Sequence, residues 1–110
     1  MDDLNEESFE PFVTGAGLRL VIFGARACQP ARDQRKDLEE TLGRQAAPPR
    51  VAAIDALVHD GVRRKMNIRR LPTTIVFRDG EVAAMLQGYQ APQRIEALVR
   101  SVARVCAFAA

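Results

Sequence analysis

The chain's 110 residues are 47% hydrophobic and 27% charged, which suffices for one hydrophobic core and not for two, so residues 1–110 are read as a single domain. A formal net charge of +2 without aromatic interleaving gives no footing for nucleic acid, and no stretch nears the roughly 18 apolar residues of a membrane span. Two cysteines and one histidine at unrelated spacings make neither a disulfide framework nor a metal site, and nothing in the pattern calls for a cofactor.

The N-terminus is acidic from Asp2 to Glu10 and lacks the positive-then-apolar order of a secretory signal, so a cytoplasmic location is expected. Asn5 is placed to cap a short helix reaching about Val13, with Glu6 and Glu7 in the first turn where the helix dipole favours them. After Thr14-Gly15-Ala16-Gly17, the run Leu18 to Phe23 is apolar apart from Arg19, as in a central strand buried on both faces. A helix follows from Pro30 to about Arg44, with Ala31, Leu38 and Leu42 on one face. Pro48-Pro49 closes it.

Arg50 to Asp55 reads as a second strand, and the strand–helix–strand order implies parallel pairing through a right-handed crossover. Leu57 to Met66 is the third helical stretch, carrying His59 on an exposed position. Thr73 to Phe77 and Val82 to Leu86 flank Asp79-Gly80, a strong hairpin signal. The last helix, about Pro92 to Val105, puts Ile95, Leu98, Val99 and Val102 on one stripe. The predicted domain is α/β, with a mixed sheet of about four strands flanked by helices. If Thr73–Phe77 runs antiparallel to Leu18–Phe23, Pro72 comes to lie beside Cys28.

Cys28 is the candidate reactive group, because it stands where the central strand gives way to a helix opening at Pro30. Unpaired N–H groups and the positive end of the dipole at such a place favour thiolate over thiol. Three residues on stands Ala31, not a second cysteine. Cys106 continues the apolar stripe of the last helix four residues after Val102, at the end remote from Cys28. A helix of about 15 residues spans roughly 22 Å, and a disulfide needs Cα atoms within about 7 Å, so core packing is the expectation for Cys106.

Taken together, Glu7-Ser8-Phe9, the strand ending at Phe23, Ala27-Cys28-Gln29-Pro30-Ala31-Arg32, Ile54-Asp55, Leu71-Pro72-Thr73, Phe77-Arg78-Asp79-Gly80-Glu81 and Gly88 resemble the thioredoxin family over nearly the whole chain. The resemblance implies a thioredoxin-like fold, a cis Leu71-Pro72 bond packed against the Cys28 thiol, and a Leu71 backbone able to pair with an extended substrate segment. It also brings out the departures. The second active-site cysteine is Ala31, the buried acid of the central strand is Ile22, the aromatic before the motif is Gly24, and the family's first strand is largely missing. Because the second thiol and the acid that would serve it are gone together, the pattern points to coherent divergence rather than a single trapping substitution.

The basic cluster from Arg63 to Arg70 reads mainly as a solvated face, but Arg69 and Arg70 directly precede Leu71-Pro72 and are expected to border the groove. The candidate site is thus Cys28 as nucleophile, with Leu71, Pro72 and Arg70 on the substrate side. Two functions follow. One is a monothiol protein forming mixed disulfides with a protein partner, turned over by glutathione or another external thiol. The other is a non-catalytic or chaperone-like binding module that uses the groove around Pro72.

Overall fold

The computed structural model describes residues 1–109, with side chains described through Arg104; the side chain of Cys106, expected in the core, lies outside the described residues. Five strands, β1 (Asp2–Leu4), β2 (Leu18–Gly24), β3 (Arg50–Asp55), β4 (Thr73–Arg78) and β5 (Glu81–Gln87), form one sheet in the order β1-β3-β2-β4-β5. Four helices accompany it: α1 (Phe9–Val13), α2 (Gln29–Leu42), α3 (Asp60–Lys65) and α4 (Pro92–Ala109). β1 and β2 both run parallel to β3, while β4 is antiparallel to both β2 and β5. The fold is thioredoxin-like.

Alternation along β2 decides the layers. Val21 and Phe23 face α1 and α3, joining Phe9, Phe77, Ile54 and Val62. Leu20 and Ile22 face α2 and α4, joining Leu38, Leu42, Val76 and Ile95. None of these four β2 side chains is more than 2% exposed, so the strand is buried on both faces as its apolar run requires. Each contributes about 1.5–3 kcal/mol by leaving water. Phe9 sets its ring edgewise against Phe23 and Phe77, with centroids 5.8 and 6.2 Å away.

The structure corrects the expectation of a missing first strand. Asp2, Asp3 and Leu4 pair with Ala52, Ala53 and Ile54, so the sheet has five strands and not about four. Only Leu4 of these three enters the core. A single apolar residue makes no alternating run, and it is the open edge of β3 that draws this segment into the ladder.

Helix boundaries also shift for local reasons. The Asn5 side chain accepts N–H bonds from Glu7 and Ser8 at 2.9 and 2.8 Å, so it stabilises a turn ahead of α1 and does not cap the helix itself. Asp55 treats the third stretch the same way. Its Oδ1 accepts from the N–H groups of Leu57 and Val58, which delays α3 to Asp60 and leaves both apolar side chains exposed. His59 consequently precedes α3 and is half-buried, where an exposed helical position was expected. The hairpin forms as read: Asp79 and Gly80, at φ 50° and 88°, make the left-handed turn between β4 and β5.

One buried residue of α2 is polar. Gln34 lies fully buried on the stripe with Ala31, Leu38 and Leu42, where its Nε2 donates to the Gln90 carbonyl at 3.0 Å and its Oε1 accepts from the Gln90 N–H at 2.7 Å. This amide clamp holds the β5–α4 loop against α2. The neighbouring Tyr89 hydroxyl donates to Asp37 of the same helix. At the start of the stripe Ala31 meets Gly24 so closely that a Cβ on Gly24 would stand 2.8 Å from the Ala31 Cβ.

Three outcomes are expected. Gln34→Leu keeps the volume but orphans both polar groups of Gln90, and urea unfolding should show a loss of about 1–3 kcal/mol. Gly24→Ala overpacks a sheet-to-helix contact that has no flexible side chain to yield, which should cost about 1–3 kcal/mol in the same assay. The third concerns pH. A hydrogen bond from Arg35, reinforced by its charge, outweighs partial burial and lowers the pKa of Asp3. The Asp3 carboxylate therefore ties β1 to α2 above the ordinary aspartate value of about 4, and that contribution is lost as pH falls through the lower native value. Hydrogen exchange at the β1 amides should accelerate over that acidic interval, and Asp3→Asn should remove the dependence.

Candidate functional site

The antiparallel register of β2 and β4 sets Phe23 opposite Thr73, so the end of one strand and the start of the other share an edge. Cys28 stands beyond the first and Leu71-Pro72 just before the second. Between β2 and α2 the chain turns at Ala25, whose carbonyl accepts the Cys28 N–H at 3.1 Å. Cys28 then takes an extended conformation at the N-cap of α2, with φ −97° and ψ 106°, and its carbonyl receives the Arg32 N–H at 3.1 Å. Pro30 fits the first turn because no helical acceptor exists there for the N–H it lacks.

The Cys28 thiol is half-buried and makes no capping hydrogen bond within its own helix. Its Sγ lies 3.9 Å from the Leu71 carbonyl oxygen. The Leu71–Pro72 peptide is cis, Pro72 is buried, and its carbonyl accepts the Gly88 N–H at 2.7 Å. Leu71 is partly buried against the α1/α3 core. Arg70 curls over Gly88, where a built Cβ would stand 3.7 Å from its Nε, and Gly88 holds φ 78°. Of the four residues singled out from the sequence, Cys28 meets Leu71, Pro72 follows it in the chain, and Arg70 lies over Gly88, which bonds to Pro72.

Three of the other four cations of the cluster are ion-paired within the fold. Arg63 and Arg64 both pair with Asp60, at 2.6 and 2.9 Å, and Lys65 pairs with Glu10 of α1. Arg69 turns aside to Asn67. Arg70 alone of the cluster reaches the groove. Arg32 folds back across the active turn and donates to the Arg26 carbonyl and to Gln29, which braces the segment carrying Cys28.

Ala31 is 5% exposed and packed against Gly24, and Ile22 is 2% exposed beneath α2. Both positions are thus filled by hydrocarbon, with neither a thiol nor a carboxylate under the Cys28 turn. Thr74, opposite Ile22 across the β2–β4 ladder, carries a buried hydroxyl with no hydrogen-bond partner among the described residues. Asp55 ends the neighbouring strand β3, opposite Gly24. Burial works to raise its pKa, but N–H groups of Val58, Arg26 and Leu57 and the charge of His59 prevail and lower it.

Sequence reading did not find the clamp between Gln34 and Gln90, which positions the loop following Gly88. Its signal was present: a glutamine three residues after Ala31 and four before Leu38 falls inside a buried stripe, where a polar side chain needs a partner. Among the described residues no cluster of three His, Cys, Asp or Glu side chains could hold a metal ion, and no helix is long and apolar enough to cross a membrane.

A family model described as a thioredoxin-like domain matches residues 7–103. Thioredoxin from Rhodospirillum rubrum is 34% identical over 85 residues, 76% of this chain and 82% of the relative. Thioredoxin from Alicyclobacillus acidocaldarius is 29% identical over 99 residues, 90% of this chain and 94% of the relative. In structure, Plasmodium falciparum thioredoxin superposes with a TM-score of 0.81 at 20% identity, covering 92% of this chain and 98% of its own. A mutant thioredoxin from Halobacterium salinarum gives 0.79 at 24% identity, covering 92% and 90%. With the order of elements, the groove between Cys28 and Pro72 and these matches agreeing, the chain belongs to the thioredoxin family as a thioredoxin-like domain protein.

Proposed function

We propose that this protein is a monothiol thiol–disulfide oxidoreductase that captures protein partners through Cys28 and depends on glutathione or another external thiol for release. The observation that carries this reading is the Cys28 Sγ, 3.9 Å from the Leu71 carbonyl at the head of the groove, with buried Ala31 where a resolving thiol would have to stand. The thioredoxin relatives support the reaction class.

In the first step the Cys28 thiolate attacks one sulfur of a partner disulfide. A Cys28–partner bond forms, the partner's S–S bond breaks, and its other sulfur leaves as thiolate and takes a proton from water. Among the described residues there is no second thiol to break the new bond. A glutathione thiolate then attacks the Cys28 sulfur, releasing the partner's second thiol and leaving Cys28 bound to glutathione. A second glutathione thiolate regenerates Cys28 and departs as oxidised glutathione. Two glutathione thiols are oxidised for each partner disulfide reduced.

The partner segment lies extended along the Leu71 backbone, with Pro72 closing one side. Arg70 over Gly88 supplies a positive charge at the groove's end, suited to an acidic partner side chain or a glutathione carboxylate. A reducing compartment such as the cytoplasm supplies the required thiol.

Reduction of insulin disulfides by wild type and Cys28→Ser, with and without glutathione, tests the assignment. Wild type should turn over with glutathione, and without it should stop after one mixed disulfide per chain. Cys28→Ser should match the uncatalysed background. Absence of Cys28-dependent reduction in both conditions would replace the enzyme reading with that of a binding module, in which Cys28→Ser still holds its partner through the Pro72 groove.

A further inference from the structure

The two edges of the sheet are not alike. β1 is three residues long and exposes Asp2 and Asp3, so it is a short, charged edge that discourages further pairing. β5, at the opposite edge, is seven residues long, and Glu81 at its start is its one charged residue. Val82 and Met85 stand 51% and 41% exposed on it. Of the devices that blunt such strands it has one, a bulge at Ala83 near the hairpin, and it carries neither Lys nor Pro.

Which backbone groups of β5 lie open follows from its ladder. The Gly88 N–H turns to the Pro72 carbonyl at 2.7 Å, so by two-residue alternation Leu86 and Ala84 also address β4. Met85 and Gln87 then address the open side, and past the bulge Val82 joins them. The Gln87 carbonyl accepts from Gln90 Nε2 at 3.0 Å and keeps a second lone pair. Side chains divide by face: Ala84 and Leu86 pack on the α2/α4 core, while Met85, opposite Ile75, lies on the other side of the sheet.

We propose that β5 pairs antiparallel with β5 of a second copy of this chain, joining two five-stranded sheets into one of ten strands. A two-fold axis at Met85 sets that residue opposite its own copy and Ala84 opposite Leu86. The bulge then brings Val82 opposite Gln87 and Glu81 opposite Gly88. In this register no like charges face each other, and each side chain meets one from its own face of the sheet. The charges match as well. Arg70 lies over Gly88, its Nε and Cζ 3.7 and 3.8 Å from where a Cβ would stand, and neither Arg70 nor Glu81 has an ion-pair partner among the described residues. Pairing about Met85 therefore carries Glu81 of each copy to Arg70 of the other, twice per dimer. Because β5 is consumed and β1 is short and acidic, the assembly closes at two copies and does not grow into a filament. Arg70 in the dimer meets Glu81 instead of a carboxylate in the groove, so the two compete for it. Cys28 takes no part in the pairing, and the dimer stands whether or not the thiol turns over.

Sedimentation equilibrium under reducing conditions, in a concentration series reaching about 1 mM, covers the weak range expected of a single strand pair. Wild type should pass from monomer to dimer mass and stop there, and hydrogen exchange at the Met85 and Gln87 amides should slow as the dimer fills. Met85→Lys opposes two ammonium groups on the axis and should leave monomer at every concentration, with circular dichroism unchanged. Glu81→Arg and Arg70→Glu should each weaken association about tenfold, and the two together should restore it. These charge variants, altered only at exposed side chains, carry the test if Met85→Lys does not fold. Cys28→Ser should dimerise as wild type does. Monomer throughout the series, growth beyond two copies, a dimer that Met85→Lys leaves intact, or charge variants that the double exchange does not recover would each overturn the assignment.

Discussion

The pairing of β2 with β4 is the constraint on which the rest depends. Because the two strands are antiparallel with Phe23 opposite Thr73, the residues that leave one and enter the other meet at one end of the sheet. That places a thiol from position 28 beside a proline from position 72 without any local sequence relation between them. β2 tolerates no slip here. A shift of one residue would turn Val21 and Phe23 out of the α1/α3 core and into the opposite one, misplacing four fully buried side chains at once.

Hydrogen bonds between turns hold this end of the sheet together. There the Cys28 N–H bonds to the Ala25 carbonyl, the Gly88 N–H to that of Pro72, and the Gln34 side chain to both backbone groups of Gln90. Gly24 lets α2 approach the sheet through Ala31, close to the Cys28 turn. Ala31 and Ile22 fill with hydrocarbon the positions beneath the Cys28 turn.

Much of this architecture was legible residue by residue. The uninterrupted apolar run from Leu20 to Phe23 announces a strand covered on both faces, Asp79-Gly80 announces its hairpin, and Cys28 before Pro30 announces a thiol at a helix start. What escaped reading shares one property: it depends on partners distant in sequence. β1 has a single core residue and exists because β3 offers an edge. Gln34 looks like an ordinary exposed helical glutamine until Gln90, 56 residues away, supplies both of its partners. The basic run before Pro72 looks continuous, yet three of its five cations are tied to Asp60 and Glu10, while Arg70 turns over Gly88.

By itself the sequence determined the fold class and the order of the elements from α1 onward, because hydrophobic period, turn chemistry and helix starts are local properties written within a few residues. Only the tertiary structure decided which charges remain free, which polar groups are satisfied and where space is left. Those are properties of pairs and of volumes. The close approach of Ala31 to Gly24 joins a helix to a strand end, and neither residue read alone contains that distance.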